Sequence, residues 1–380
     1  MPEPTYLRLR YIDWLRGFAS LGMIEAHCYD SWLSPSYRAG WFFGTSQFSG
    51  TYPAPLFVFL SGIAAALLAD HMRRKGVPTN EIAARMIRRG ALIFGLGMIF
   101  RMQEYILGLP KSPWTDLLRV DVLNMFGISI ASMGVVCWLA RTRAKTMIFA
   151  AAAAAAIALA TPPLWTTWRP SWLPWYLESY INGVHIYGVP QPWLFPLFPW
   201  MGFAFAGLAI GFVLTSEWGT PRPSRVLLLL AAAGTALFGL SIWLNLCRVR
   251  LYAVHDYWHT SPNFFLARLG VLLVMLLGGY AWCRWGPARA GFSPIAQLGQ
   301  TSLLVYWVHT EFVYGKLSIL PKHKQTIATA SLGLVVICIA MLLVSMARTR
   351  WKGRGAEVFA RLFQNGMGIA RRAPGPAIEG

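Results

Sequence analysis

Apolar stretches of about twenty residues, the length an α-helix needs to cross a bilayer, recur along the chain between short polar or basic turns. They predict ten spans, at 11–30, 53–71, 90–108, 119–140, 146–164, 195–215, 225–246, 264–283, 299–316 and 325–347. The first, fifth and ninth are polar or short for spans. The alanine run 150–156 favours helix and fits inside the fifth. No repeat at a fixed period is evident. The expected fold is all-α: a polytopic integral membrane helix bundle of about ten transmembrane helices.

Composition agrees with that pattern. Of 380 residues, 56% are hydrophobic and only 13% are charged, and the mean hydropathy is +0.47. Residues 1–347 read as one transmembrane domain, with a basic tail at 348–380 that holds one short interfacial helix, "GAEVFARLFQNGMGIA". The net charge of +19 would suggest nucleic acid in a soluble protein. Here the Lys and Arg residues lie in short inter-helix loops and no nucleic-acid motif occurs, so retention of basic loops on the cytoplasmic side explains them. With the N-terminus inside, most of the 34 Lys and Arg residues fall on the inner side, and both termini are expected to be cytoplasmic. Asp13 and Arg16 interrupt the first apolar stretch and no small-residue cleavage site follows, so this helix is expected to be retained. The five cysteines form no CxxC pair, which argues against thiolate metal binding. Cys28 and Cys247 both fall near the outer face, and a disulfide between them is left open.

The first span is unusual in carrying Asp13, Arg16, Glu25, His27 and Asp30. A charge near the bilayer centre costs at least about 2.5 kcal/mol, and intramembrane ionisable groups are functional candidates by default. Arg16 and His27 stand eleven residues apart, which returns them to one helix face about 16 Å apart along the axis. Asp13 is placed to pair with Arg16 at i,i+3. Glu25 points away from His27. In this register Arg16 sits near the cytoplasmic boundary and His27 in the outer half, where an imidazole is a natural general base. The plainer readings are a snorkelling anchor for Arg16 and a buried, satisfied histidine for His27.

Four more groups stand out. "RMIRR" places Arg85, Arg88 and Arg89 one turn apart on the cytoplasmic side, a candidate phosphate clamp or simple positive-inside retention. "LGQTSLLVYWVHTEFVYG" (298–315) brings His309 to a depth similar to that of His27, with Glu311 nearby. "HDYWHTSPNFFLARLG" (255–270) carries His255, Asp256 and His259 in weak metal-ligand spacing, then Arg268 just inside the next span. Arg268 is a candidate for structural pairing or for binding an acidic group of a substrate. The Trp-rich outer loop 165–193, with Trp172, suits sugar stacking or an interfacial aromatic belt.

Taken together, "RYIDWLRGFASLGMIEAHCYDSW", "APLFVFLSGIAAAL" and "WHTSPNFFLARLG" resemble the heparan-alpha-glucosaminide N-acetyltransferase catalytic-domain family, including its bacterial relatives. "FLSG", "RMIR" and "LGQTSLLVYWVH" are similar to the wider superfamily of membrane acyltransferases that modify bacterial surface sugars. The matches span residues 8–315. The resemblance implies transfer of an acyl group, commonly acetyl, from cytoplasmic acetyl-CoA or another acyl-CoA to an amine or hydroxyl of an extracytoplasmic sugar or glycan acceptor. CoA would be a cosubstrate, with no tightly bound cofactor and no metal. Arg16, His27, Arg85 and Arg88 match positions with proposed roles in the superfamily. His27 is implied as the general base or as an acyl carrier, with Asp13 and His309 as further catalytic candidates. The donor would be held by Arg85, Arg88 and Arg89, and the acceptor by Glu311, Arg268, His259 and Trp172. The large luminal loop of the animal lysosomal enzyme has no counterpart here, so its heparan substrate is not carried over.

The resemblance further implies a bacterial cytoplasmic (inner) membrane, with the lipid bilayer as a partner; a homodimer is left open. An alternative from another class is a secondary transporter or permease relaying protons through Arg16, Glu25 and His27. Paired broken helices in two related halves would mark such a protein, and no such halves are evident. A non-catalytic scaffold is disfavoured by the cost of its buried charges.

Overall fold

The computed structural model describes residues 9–183, 195–253, 256–287 and 291–366, the last stretch from residue 352 onward by its backbone alone. It is an all-helical bundle. The ten expected spans are each helical: α1 (Arg10–Trp32), α4 (Pro53–Arg74), α5 (Thr79–Gly108), α6 (Val122–Ala140), α7 (Arg143–Thr166), α9 (Leu197–Leu214), α10 (Pro223–Leu246), α11 (Pro262–Trp285), the pair α12 (Pro294–Gln300) and α13 (Ser302–Val313), and α14 (Ile327–Gly366). Short helices fill the connections: α2 (Pro35–Arg38), α3 (Trp41–Ser49) and α8 (Trp175–Asn182). Among the described residues, seven helical stretches are long and apolar enough to cross a membrane. Helix α1, helix α5 and the α12–α13 pair fall outside that set; α1 and α5 are polar, and α12 and α13 are short.

The sequence also explains where helices start. Proline occupies the first turn of α4, α10, α11 and α12, where its missing N–H costs nothing. Asp121 caps α6 by accepting from Leu123 N at 2.9 Å, while its own backbone N–H donates to Asn124 Oδ1 at 3.3 Å. Two expectations change. The ninth span is broken at Thr301 into α12 and α13. The last span runs on as one helix to Gly366, so the interfacial segment expected in the tail is, as far as it is described, the end of α14.

Helices in lipid associate through close backbone approach rather than through a hydrophobic driving force. Gly62 of α4 and Gly207 of α9 face each other so closely that a Cβ on either would collide with the opposite backbone. Gly17 of α1 and Gly299 of α12 do the same, against the carbonyls of Ile295 and Asp13. The second crossing matters for function, because it locks α1 to the broken span. The polar groups exposed at the break are satisfied by α14. Thr301 Oγ1 donates to Ser345 Oγ at 2.6 Å, and Gln297 Nε2 donates to the same oxygen at 3.0 Å. Irregular backbone at membrane depth is tolerated where protein buries it in this way.

Contacts define two ends of the bundle. At one, Arg10 reaches the Gly291 carbonyl at 2.7 Å and Arg74 the Thr215 carbonyl at 3.0 Å. The loops flanking α4–α5 and α6–α7 place Arg73, Arg74, Lys75, Arg141, Arg143 and Lys145 there. At the other end, Trp32 Nε1 donates to Ser318 Oγ at 3.0 Å and Lys316 to the Leu109 carbonyl at 3.1 Å. The basic end is the expected cytoplasmic one. With the exposed Cys247 replaced, cysteines at Ser36 and Ser171 are expected to react with a membrane-impermeant maleimide in intact cells, and one at Thr79 is not. Labelling at Thr79 with protection at Ser36 inverts the orientation.

Candidate active site

Helix α1 brings its ionisable face inward. Asp13 is buried and accepts from Arg16 Nη1 at 3.3 Å, the i,i+3 pair expected from the sequence. Beside it, toward the basic end, lies a cavity of about 380 Å³ lined by Arg10, Asp13, Ser293, Gln297 and Gln300 among others. Glu25 does turn away from His27: Ser49 Oγ donates to its Oε2 at 3.4 Å.

His27 and His309 meet. The Nδ1 of His27 lies 3.0 Å from the Nε2 of His309, and the rings stack with centroids 5.2 Å apart and planes 17° apart. His309 is wholly buried. Its Nδ1 lies 2.6 Å from the Val305 carbonyl one turn back. A carbonyl only accepts, so Nδ1 of His309 carries a proton. Among the described residues no carboxylate bonds this ring, and a second proton on it would be an unpaired buried charge. The Nε2 of His309 is therefore the acceptor and the Nδ1–H of His27 the donor. The hydrogen-bond network assigns His27 a single tautomer, with the lone pair on Nε2. That is the form a base or a nucleophile requires.

Tyr314 closes the other side of His27, edge-on with centroids 5.1 Å apart. Its hydroxyl donates to Asp30 Oδ2 at 2.8 Å, and Asp30 in turn pairs with Arg38 at 2.6 Å. The same tyrosine lines a cavity of about 200 Å³ that opens away from the basic end, along with Glu311, Glu104, Asp116, Arg119 and Lys316 among others. Gln103 Nε2 donates to Glu311 Oε1 at 2.6 Å. Behind these, Arg101 lies between Glu104 at 2.8 Å and Asp121 at 3.3 Å, and Tyr306 donates to Asp121 at 3.2 Å. Glu311 thus belongs to the cavity beside the histidines, while among the described residues the two histidines bond each other and His309 bonds backbone.

Other candidates lie apart. Arg85, Arg88 and Arg89 are exposed on α5, and Arg85 pairs with Glu81 at 2.7 Å. They stand on the basic side, on a helix that packs chiefly on α6 rather than on α1. His259 is exposed and bonds Asp256 at 2.7 Å; His255 lies outside the described residues. No group of three metal-ligating side chains occurs among the described residues. Trp172 is exposed. Cys28 is buried, Cys247 is exposed, and both are free thiols. Arg268 is buried against aromatic rings. Sequence reasoning missed Tyr314, Gln103, Arg101 and the cavity at Gln297. The signal for the middle two was present in "FRMQEY", a cluster of polar groups at the end of an apolar span.

Apolar helices long enough to span a bilayer, a histidine pair between polar α1 and short α13, and polar cavities toward both ends make this a multi-pass helical membrane protein with a chemically equipped interior. Residues 8–239 match the model of the family described as heparan-alpha-glucosaminide N-acetyltransferase, catalytic. The match covers more than half of the chain, and the chain belongs to that family of membrane acyltransferases. No curated protein sequence matches it.

Proposed function

We propose that the protein carries an acetyl group from cytoplasmic acetyl-CoA to an amine or hydroxyl of a sugar on the opposite side of the membrane, with His27 as the reacting base. The observation that carries this reading is the His27–His309 hydrogen bond at 3.0 Å, with His309 held to the Val305 carbonyl. In the reaction, Nε2 of His27 takes the acceptor's proton as its oxygen or nitrogen attacks the thioester carbonyl. The C–S bond breaks, and the proton passes to the departing thiolate. While His27 is charged, its Nδ1–H bond to His309 becomes charge-assisted and stronger. An acetyl group carried briefly on Nε2 uses the same geometry. Labelled acetyl-CoA mixed with purified protein and a panel of sugar amines and alcohols tests the activity. Acetylated product in the wild type supports it, and hydrolysis or no turnover on every acceptor opposes it.

For the donor we favour the cavity at the foot of α1, because it opens beside Arg16 on the histidine-bearing helix. Arg10→Ala is then expected to raise the apparent KM for acetyl-CoA. Loss of one charge-assisted contact costs about 1.5–3 kcal/mol, or roughly ten- to a hundredfold. Arg85, Arg88 and Arg89, proposed from the sequence as the phosphate clamp, give the opposite pattern: the double variant Arg85→Ala/Arg88→Ala raises KM and Arg10→Ala does not. Donor titration of both variants decides between the two sites.

The broken α12–α13 span also occurs in secondary transporters and keeps a permease reading open. Sugar uptake into vesicles without acetyl-CoA is the result that favours it.

A further inference from the structure

Two arginines are buried among the described residues, and they are treated differently. Arg101 lies between two carboxylates. Arg268 is 9% exposed, and no described carboxylate pairs with it. Its guanidinium lies over the Phe264 ring at 4.0 Å and the Trp200 ring at 5.7 Å, and its Nε is buried with no hydrogen-bond partner. Aromatic faces offset part of the cost of a desolvated cation, but they leave its buried Nε–H without an acceptor. A buried guanidinium with an orphan Nε–H and no described carboxylate beside it is suited to an anion from outside the chain.

The surroundings indicate which anion. Arg268 is the seventh residue of α11, about 9 Å below the helix start, at a depth a long side chain reaches from the membrane interface. Trp258 packs edge-on to Phe264 with centroids 5.0 Å apart, and Phe48 meets Trp258 at 6.4 Å. Trp258 and Phe48 are about half exposed. The guanidinium is thus flanked by rings and sits at the level where lipid headgroups meet acyl chains, where Trp residues concentrate. It lies at the His27 end of the bundle: Phe48 belongs to α3, and the next residue, Ser49, bonds Glu25, two residues before His27.

We propose that Arg268 binds the phosphoryl group of an anionic lipid in the leaflet facing away from the basic end, with the lipid's apolar or sugar part against Phe48 and Trp258. The site stands independently of acetyl transfer. Under the acetyl-transfer reading it would hold a lipid-linked acceptor close to the histidine pair.

The test is native mass spectrometry of the full chain released from micelles containing phosphatidylglycerol, phosphatidic acid or phosphatidylcholine, with inorganic phosphate as a soluble competitor. The wild type is expected to retain one anionic lipid at least about tenfold more tightly than phosphatidylcholine. Arg268→Gln loses this preference. Arg268→Lys, which keeps the charge without the fork, keeps part of it and serves alone if the Gln variant does not fold. Equal retention of anionic and zwitterionic lipid, or an unchanged preference in Arg268→Lys, overturns the site. Stabilisation by inorganic phosphate as strong as that by lipid would overturn the lipid as its source. None of these outcomes depends on enzymatic turnover.

Discussion

Alanine at His27 is expected to leave the protein inserted and able to bind acetyl-CoA while lowering its turnover at least about a hundredfold, the low end for general acid–base catalysis. His27 is the one side chain of the pair that the hydrogen-bond network leaves with an unclaimed nitrogen. Its Nδ1–H is held by His309 at 3.0 Å, so Nε2 alone is free to take a proton or an acetyl group. Deleting the ring removes that nitrogen, whereas the Asp13–Arg16 pair about three to four turns away and the cavity beside it stay in place. Turnover and donor dissociation should therefore separate, with kcat falling and donor Kd unchanged. A His27→Ala protein that inserts normally and turns over at the wild-type rate removes the histidine from the chemistry.

The second large effect is expected at His309. It does not touch substrate in this account; it is a positioning residue that fixes the tautomer and ring plane of His27. His309→Phe keeps an aromatic plane against His27 but removes the acceptor nitrogen, so the His27 Nδ1–H loses its partner and the tautomer is no longer specified. Turnover is expected to fall roughly tenfold to a hundredfold, the size typical of losing a hydrogen-bond partner that orients a reacting ligand and less than losing the base itself, with donor KM unaffected. His309→Gln offers a carbonyl oxygen to the same N–H and should recover part of the rate. A merely structural histidine would give the reverse order, with the shape-preserving Phe variant the more active.

Legibility in the sequence followed hydrophobic contrast. The spans at 53–71 and 225–246 were plain because their charged or ionisable groups, Asp70, His71 and Arg225, lie only at their ends, and each became one helix with ends within a few residues. The α1 span was legible despite its charges, because Asp13, Arg16 and His27 repeat at helical spacing and the Asp13–Arg16 pair is local. The break at Thr301 was not legible. It depends on Ser345 of α14, 44 residues on, accepting the groups the break exposes. The meeting of His27 with His309 was open to suggestion from depth alone, but its 3.0 Å contact rests on the glycine crossing of α1 and α12. The roles of Arg101 and Tyr314 were hidden for a related reason. Their partners Asp121 and Asp30 lie on other helices, and periodicity within one helix says nothing about which neighbour it meets.

The central claim is that acetyl passes from one side of the membrane to the other through this chain. Its most direct test uses sealed vesicles holding the purified protein in one orientation. Labelled acetyl-CoA is supplied only at the basic end, and sugar acceptors, α-glucosaminides first, are enclosed on the His27 side. The account predicts labelled, acetylated sugar inside the vesicles and free CoA outside. Product that forms only when donor and acceptor share a side would contradict it.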